Sequence, residues 1–349
     1  MNTHFCCGEC FGDNILKIII KDNDSNKIKK CDFCGSENVR CIPTSEIQGN
    51  FNFIHATYVE DLNGRPIIEL LREDWNLFQN KNLHGASLDS LLREIFADES
   101  IVQAKYLAKE SQEGYKLSDW TKFKNEIIRE NRWFTENDPN YDLFSQMLGY
   151  LSTYGESLPR EWYRARKIFD STEIVSTKEI GAPPHEKAGH GRANPAGIPY
   201  LYLGSTLKTA LTEVRPQKGE KIAVGIFRLL SDELTFLDLR TPRETVSPFA
   251  PLEEHDIISL REHIEVLEHF GKELSTPVSP GESQYDYIPT QYICELIKKC
   301  DFDGILYNSS LVDDGVNLVL FSEEDAKVSP NSIRYYTIKK VEIEETIAE

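Results

Sequence analysis

Apolar positions along this chain fall into two textures. From about residue 45 to 157 they recur at helical spacing. Ile67, Ile68, Leu70, Leu71, Trp75, Leu77 and Phe78 cluster this way, and Leu88, Leu91, Leu92, Ile95 and Phe96 repeat the pattern behind Ser87, a natural helix cap. Residues 119–133 and 141–150 predict two further helices, with Trp75, Trp120 and Trp133 as core positions. After Leu158-Pro159 the runs shorten and become β-rich: 162–164, 222–229, 234–239, 304–307, 317–321 and 334–343. Helices are expected among them at 206–213, 256–274 and 289–299, the last opening on a proline in its first turn. The Ser/Pro/Gly stretch 275–283 predicts a loop.

Residues 1–44 follow neither texture. They hold two Cys-x-x-Cys knuckles, Cys7/Cys10 and Cys31/Cys34, twenty residues apart. Four thiolates paired in this way suit tetrahedral zinc, with a hairpin or ribbon between the knuckles. Cys6 and Cys41 are expected bystanders, although Cys6 lies close enough to compete with Cys7. Three segments follow: a zinc-ribbon module at 1–44, a helical region at 45–157, and an α+β domain at 158–349.

Composition narrows the function classes. The 349 residues are 40% apolar and 28% charged, as in an ordinary globular protein. The net charge of −18 argues against a general nucleic-acid surface, which needs a basic face. The cysteine module, with six Lys/Arg and six Asp/Glu, is no more basic, so a structural or protein-contact role is expected for it. No apolar run is long enough to span a bilayer and no signal peptide is visible, which predicts no membrane partner and a cytoplasmic location.

The candidate chemistry concentrates in residues 191–215, GRANPAGIPYLYLGSTLKTALTEVR. Arg192 sits in a Gly/Asn/Pro turn, a tyrosine-bearing strand follows, and a capped helix then carries Glu213. A cation, an aromatic ring and a carboxylate at one sheet edge suit an anionic, aromatic ligand such as a dinucleotide. Gly189 to Asn194 imitates the dinucleotide fingerprint but lacks its last glycine and follows a Pro-Pro loop, which disfavours a dehydrogenase. Taken singly, each residue also has a plainer reading. Glu213 fits a solvated helix acid pairing with Arg215 or Lys218, Arg164 and Arg166 fit surface ion pairs, and Tyr200 and Tyr202 fit sheet core.

The ordered motifs WYRAR, GRANPAGIPYLYLGS, TALTEVRP, DYIPTQYICELIKK and FDGILYNSS…GVNLVLF resemble the RES-domain family over about residues 158–345. The N-terminal cysteine module is similar to the zinc-ribbon segment that precedes some RES domains. The resemblance implies an ADP-ribosyltransferase-like α+β fold acting on NAD, toxin-like, with an antitoxin as partner. It implies Glu213, Arg164 and Tyr202 as catalytic residues, and Arg164, Arg192, Tyr202 and Ser309 as NAD-binding residues. Arg166 stays open as the alternative to Arg164, and Ser310 as the alternative to Ser309. The implied reaction is cleavage of the nicotinamide–ribose bond by a glycohydrolase or phosphorylase. Transfer of ADP-ribose to a macromolecule, or binding without catalysis, are the alternatives.

Overall fold

The computed structural model describes residues 3–111, 115–137, 139–170, 174–250, 253–276 and 284–341. The chain divides into two compact units: Met1–Leu117 with Thr241–Val266, and Ser118–Arg240 with Leu267–Glu349. Neither unit coincides with the three sequence segments, because residues 118–157 group with the sheet of the second unit.

The first unit opens on strand β1 (Phe5–Cys7), helix α1 (Asn14–Asp22) and strands β2 (Lys27–Lys29) and β3 (Val39–Pro43), which pair in the order β1-β3-β2. The residues between the knuckles, expected as a hairpin or ribbon, form helix α1 and strand β2. Asp13 caps α1 by accepting from the Leu16 N–H at 2.7 Å, and Leu16 and Ile20, one turn apart, are buried. Next come α2 (Gln48–His55), β4 (Tyr58–Pro66), α3 (Ile67–Trp75), α4 (Ala86–Phe96), α5 (Glu99–Gln103) and β5 (Lys105–Ala108). β4 and β5 form an antiparallel pair inside the segment expected to be helical. Val59 and Leu62 on β4 are exposed, so its sequence carries no clean alternation. Helix α3 stops at Trp75 because Asn76 turns left-handed (φ 54°), so Leu77 and Phe78 follow the helix instead of extending it. Helix α4 starts one residue before Ser87, whose hydroxyl donates to the His84 carbonyl instead of capping. Phe11, Phe51 and Phe78 pack with centroids 5.4–5.9 Å apart and form an aromatic centre of this unit.

The second unit contains α6 (Leu117–Arg129), α7 (Tyr141–Gly149), β6 (Ser152–Tyr154), β7 (Trp162–Ile168), β8 (Leu201–Gly204), α8 (Leu207–Glu213), β9 (Lys221–Leu229) and β10 (Thr235–Asp238). The chain continues through α9 (Pro242–Thr245), counted with the first unit, and α10 (Glu254–Ser275), which runs across the division at Val266. Then come α11 (Ile288–Lys299), β11 (Gly304–Asn308), β12 (Val316–Leu320), β13 (Ala326–Val328) and β14 (Arg334–Thr337). The expected loop at 275–283 lies largely outside the described residues, as does the end of the expected run 334–343.

Nine strands make one sheet among the described residues, β13-β9-β7-β8-β12-β11-β10-β6, with β14 also on β9. Among the described strands of this sheet only the β10–β11 pair is parallel. Alternate residues Leu201, Leu203, Leu306, Leu318 and Leu320 join Trp162 and Phe227 in the core. The intervening Tyr202, Tyr307 and Asn317 therefore take the other face. Trp120 and Phe144 pack on Phe270, at 4.8 and 5.7 Å, which is why α6 and α7 belong to this unit. Trp133, expected in the core, is exposed beyond the end of α6. No helix among the described residues is long and apolar enough to cross a membrane.

Candidate active site

Helix α8 is set by its cap and by a bare strand beneath it. The Thr206 hydroxyl accepts from the Thr209 N–H at 3.0 Å. A Cβ on Gly204 would stand 2.8 Å from the Ala210 nitrogen, so the helix lies directly on the backbone of β8. This close approach delivers Glu213, the last residue of α8, to the polar face of the sheet. There its Oε1 accepts from the Ser309 hydroxyl and from the Asn317 side-chain amide, each at 2.8 Å. Glu213 is thus held by residues far along the chain, in place of the solvated pairing with Arg215 or Lys218.

The turn bearing Arg192 is pinned from inside. Asn194 donates to the carbonyls of Gly189, Pro195 and Ile198 at 2.9–3.0 Å. Its Oδ1 accepts from the Tyr202 hydroxyl at 2.7 Å, and that hydroxyl accepts from the Ala193 N–H at 3.1 Å. Gln291 on α11 donates to the carbonyls of Gly191 and Asn194 at 2.8 and 3.1 Å. A Cβ on Gly191 would fall 2.3 Å from Asn194 Oδ1 and 2.6 Å from Tyr202 Oη, so only glycine fits there. Arg192 Nη1 donates to the Leu274 and Ser275 carbonyls at 2.7 and 2.8 Å. A cation at a helix C-terminus is favourably placed against the helix dipole.

Several of these residues line a cavity of about 350 Å³, within the range of small-molecule sites. Arg164, Arg192, Tyr202 and Glu213 line it together with Tyr163, Tyr287, Tyr307 and Asn317. β7 and β8 share a single registered pair, Tyr163↔Gly204, and Arg164 Nη1 spans them by donating to the Tyr202 carbonyl at 3.0 Å. Burial holds the Arg164 guanidinium down to about 10, which leaves it protonated at neutral pH. Burial also pushes the phenols of Tyr202 and Tyr307 above their ordinary range, so both stay neutral. The cavity therefore presents two cations, one carboxylate and neutral aromatic rings. Arg164 and Arg166, left open by the sequence, differ here. Arg166 Nη1 donates to the Glu179 carbonyl and does not line the cavity, whereas Arg164 does. Ser309 reaches the site through Glu213. Tyr200, instead of sharing the cavity with Tyr202, is buried with its ring 5.0 Å from Phe321.

The model of one family, the RES domain, matches residues 161–339, just over half of the chain. The chain belongs to the RES-domain family. No curated protein matches it at a significant level. Among solved structures, the M. tuberculosis MbcT-MbcA toxin-antitoxin complex contains a similar chain. The two share 16% identity over 56% of this chain and 91% of that one, with a TM-score of 0.32, a likeness too loose to bear weight. Within this RES domain, sequence reasoning overlooked Asn194, Gln291, Tyr307 and Asn317. The motifs that carry the resemblance contain all four. An asparagine inside the aliphatic run GVNLVLF is the clearest of these signals, since a buried amide in a strand requires a partner.

Ahead of the RES domain, the four knuckle cysteines converge. The sulfurs of Cys7, Cys10, Cys31 and Cys34 are buried and lie within 4.8 Å of one another. Cys7 and Cys34 are 3.5 Å apart, and Cys10 and Cys31 are 3.4 Å apart. Tetrahedral zinc with Zn–S bonds of about 2.3 Å needs sulfurs roughly 3.8 Å apart, so the set fits. Hydrogen bonds from Cys10 and Cys7 hold the Cys31 thiol below its ordinary range, and Cys10 does the same for Cys34. Cys6 and Cys41 stand outside the four.

Proposed function

We propose that the cavity binds NAD and cleaves its nicotinamide–ribose bond, with water or phosphate as acceptor. The observation that carries this reading is the Glu213 carboxylate, held by Ser309 and Asn317 in a cavity that also contains Arg164, Arg192 and Tyr202. Nicotinamide in NAD is a cationic ring. When its bond to C1′ breaks, the electron pair returns to the ring nitrogen and the base leaves neutral. No general acid is needed, in contrast to ordinary glycoside hydrolysis with its two carboxylates. One carboxylate suffices if it faces the positive charge that develops on the ribose, and Glu213 has that role. An acceptor oxygen then bonds to C1′; with water as acceptor, one proton is released. Arg164 and Arg192 pair the diphosphate, for which planar guanidinium forks are suited. The Tyr202 ring orients the nicotinamide or ribose, while Ser309 acts through Glu213.

In cells this chemistry is a toxin-like depletion of NAD, and membership of the RES family supports an antitoxin protein as partner. The cysteine module holds one structural zinc, with Cys7, Cys10, Cys31 and Cys34 as ligands.

The deciding experiment incubates the full-length protein with NAD and identifies both products by mass, beside Glu213→Gln. The substitution keeps size and removes charge. Nicotinamide release should fall on the order of 10²–10³-fold with NAD binding retained, as when one preorganised electrostatic group is removed. Near wild-type release by the folded variant overturns the mechanism. Labelled ADP-ribose on a macromolecule would assign the protein as a transferase instead.

A further inference from the structure

The Glu213 carboxylate is held asymmetrically. Both of its donors, Ser309 Oγ and Asn317 Nδ2, meet the same oxygen, Oε1, at 2.8 Å. Among the described residues no hydrogen bond reaches Oε2. Asn317 is the second residue of β12, a strand otherwise made of Val and Leu, and is 5% exposed. Its registered neighbours are Tyr307 on β11 and Gly204 on β8. The bare backbone at Gly204 lets α8 settle onto the sheet, which brings Glu213 within reach of the amide in the next strand. A buried amide without a partner is costly, and the Asn317 amide has Glu213 as its partner.

We propose that Asn317 is the positioning residue of this site: its amide fixes the Glu213 carboxylate so that Oε1 is occupied and Oε2 is left open to the substrate. The inference rests on the assignment of Glu213 under the proposed function. The division between the two donors follows from their chemistry. A serine hydroxyl rotates and both donates and accepts, whereas an amide N–H only donates, in a direction set by the strand. Ser309 alone would let Oε1 shift as its hydroxyl turns. Asn317, on the neighbouring strand β12, holds Oε1 in one place, and with the side chain tethered to α8 this sets where Oε2 lies. The open oxygen is then the one that faces C1′ as positive charge develops, and this preorganisation lowers the barrier without changing the affinity of the ground state.

The test uses the full chain and NAD, with nicotinamide release as readout. Asn317→Leu should lower kcat on the order of 10- to 100-fold, the range expected for losing one hydrogen bond to a charged group, with KM within about twofold. Asn317→Asp keeps the shape but donates only when protonated. Its kcat should therefore fall as pH rises, because two ionised carboxylates then face each other, and recover towards acid. Wild type should lack this limb, and a purely structural role would not create it. Folded variants with kcat within about threefold of wild type and no new limb overturn the inference. If Asn317→Leu fails to fold, Asn317→Asp carries the test; failure of both to fold overturns it in favour of a structural role. Glu213→Gln measured in parallel separates the two ideas. Unchanged release there overturns the proposed function, and with it the inference. Lost release there beside normal Asn317 variants overturns the inference alone.

Discussion

Removing a single oxygen in Tyr202→Phe tests whether that hydroxyl serves the protein or the substrate. It accepts from the Ala193 N–H at 3.1 Å and donates to Asn194 Oδ1 at 2.7 Å. Ala193 is fully buried and Asn194 is 5% exposed, so water does not readily replace the lost oxygen. The variant leaves one buried donor and one buried acceptor without partners, each worth about 1–3 kcal/mol. Their sum is roughly 2–6 kcal/mol, and about 3 kcal/mol is the working value because the Asn194 amide keeps its three carbonyl partners. At about 2–4 °C per kcal/mol, the melting temperature should drop by roughly 6–12 °C. The functional effect should follow the loop. With Asn194 and Ala193 loosened, Arg192 is less well placed, and NAD affinity should weaken several-fold while kcat changes little. The assays are a thermal melt and steady-state nicotinamide release. An unchanged melting temperature with kcat lost would refute the reasoning and make the hydroxyl a group that touches substrate.

Two further outcomes are expected. Cys31→Ser or Cys34→Ser should abolish zinc in metal analysis of the purified protein, because removing one ligand breaks the tetrahedral set; full occupancy in both variants rejects the assignment. Burial holds His263 down to about 4, and its Nε2 accepts from the Tyr115 N–H at 3.5 Å, so it is neutral when folded. The unfolded chain takes up the proton first, so stability is present above about pH 6.5 and is lost as pH falls towards 4, by on the order of 3 kcal/mol. Urea unfolding at both ends of that window should show a smaller difference in His263→Phe than in wild type, and equal differences count against the assignment.

Much of the second unit was legible along the chain. Expected strands at 222–229, 234–239, 304–307 and 317–321 correspond to β9 (Lys221–Leu229), β10, β11 and β12 within a residue or two, and the helix expected at 289–299 is α11. Each buries one face against the core, and that burial writes a period into the sequence that needs no knowledge of the partner. The knuckle spacing was equally local, since two residues between cysteines already bring their sulfurs to one side. Three-residue strands such as β6 are too short to carry a period, which is why residues 118–157 looked separate from the sheet. Helix α1 went unread between the cysteines although its Asp13 cap and its Leu16/Ile20 spacing were present.

The arrangement of the site belongs to tertiary structure. Ser309 lies 96 residues from Glu213 and Asn317 lies 104 residues away, and they meet because β8, which leads into α8, pairs in the sheet with β12, a strand far along the chain whose other neighbour is β11. The ordered motifs named the family and most of the polar residues lining the cavity. They could not show that both donors share Oε1, that Tyr202 spends its hydroxyl on the loop, or that Arg192 rests on the end of α10. Those facts depend on which strands lie side by side and how closely Gly204 lets a helix approach. The sequence by itself determined the local elements and the chemical groups available; only strand order and close packing decided which of those groups meet, because hydrogen bonds depend on distances in space and periodicity records only burial along the chain.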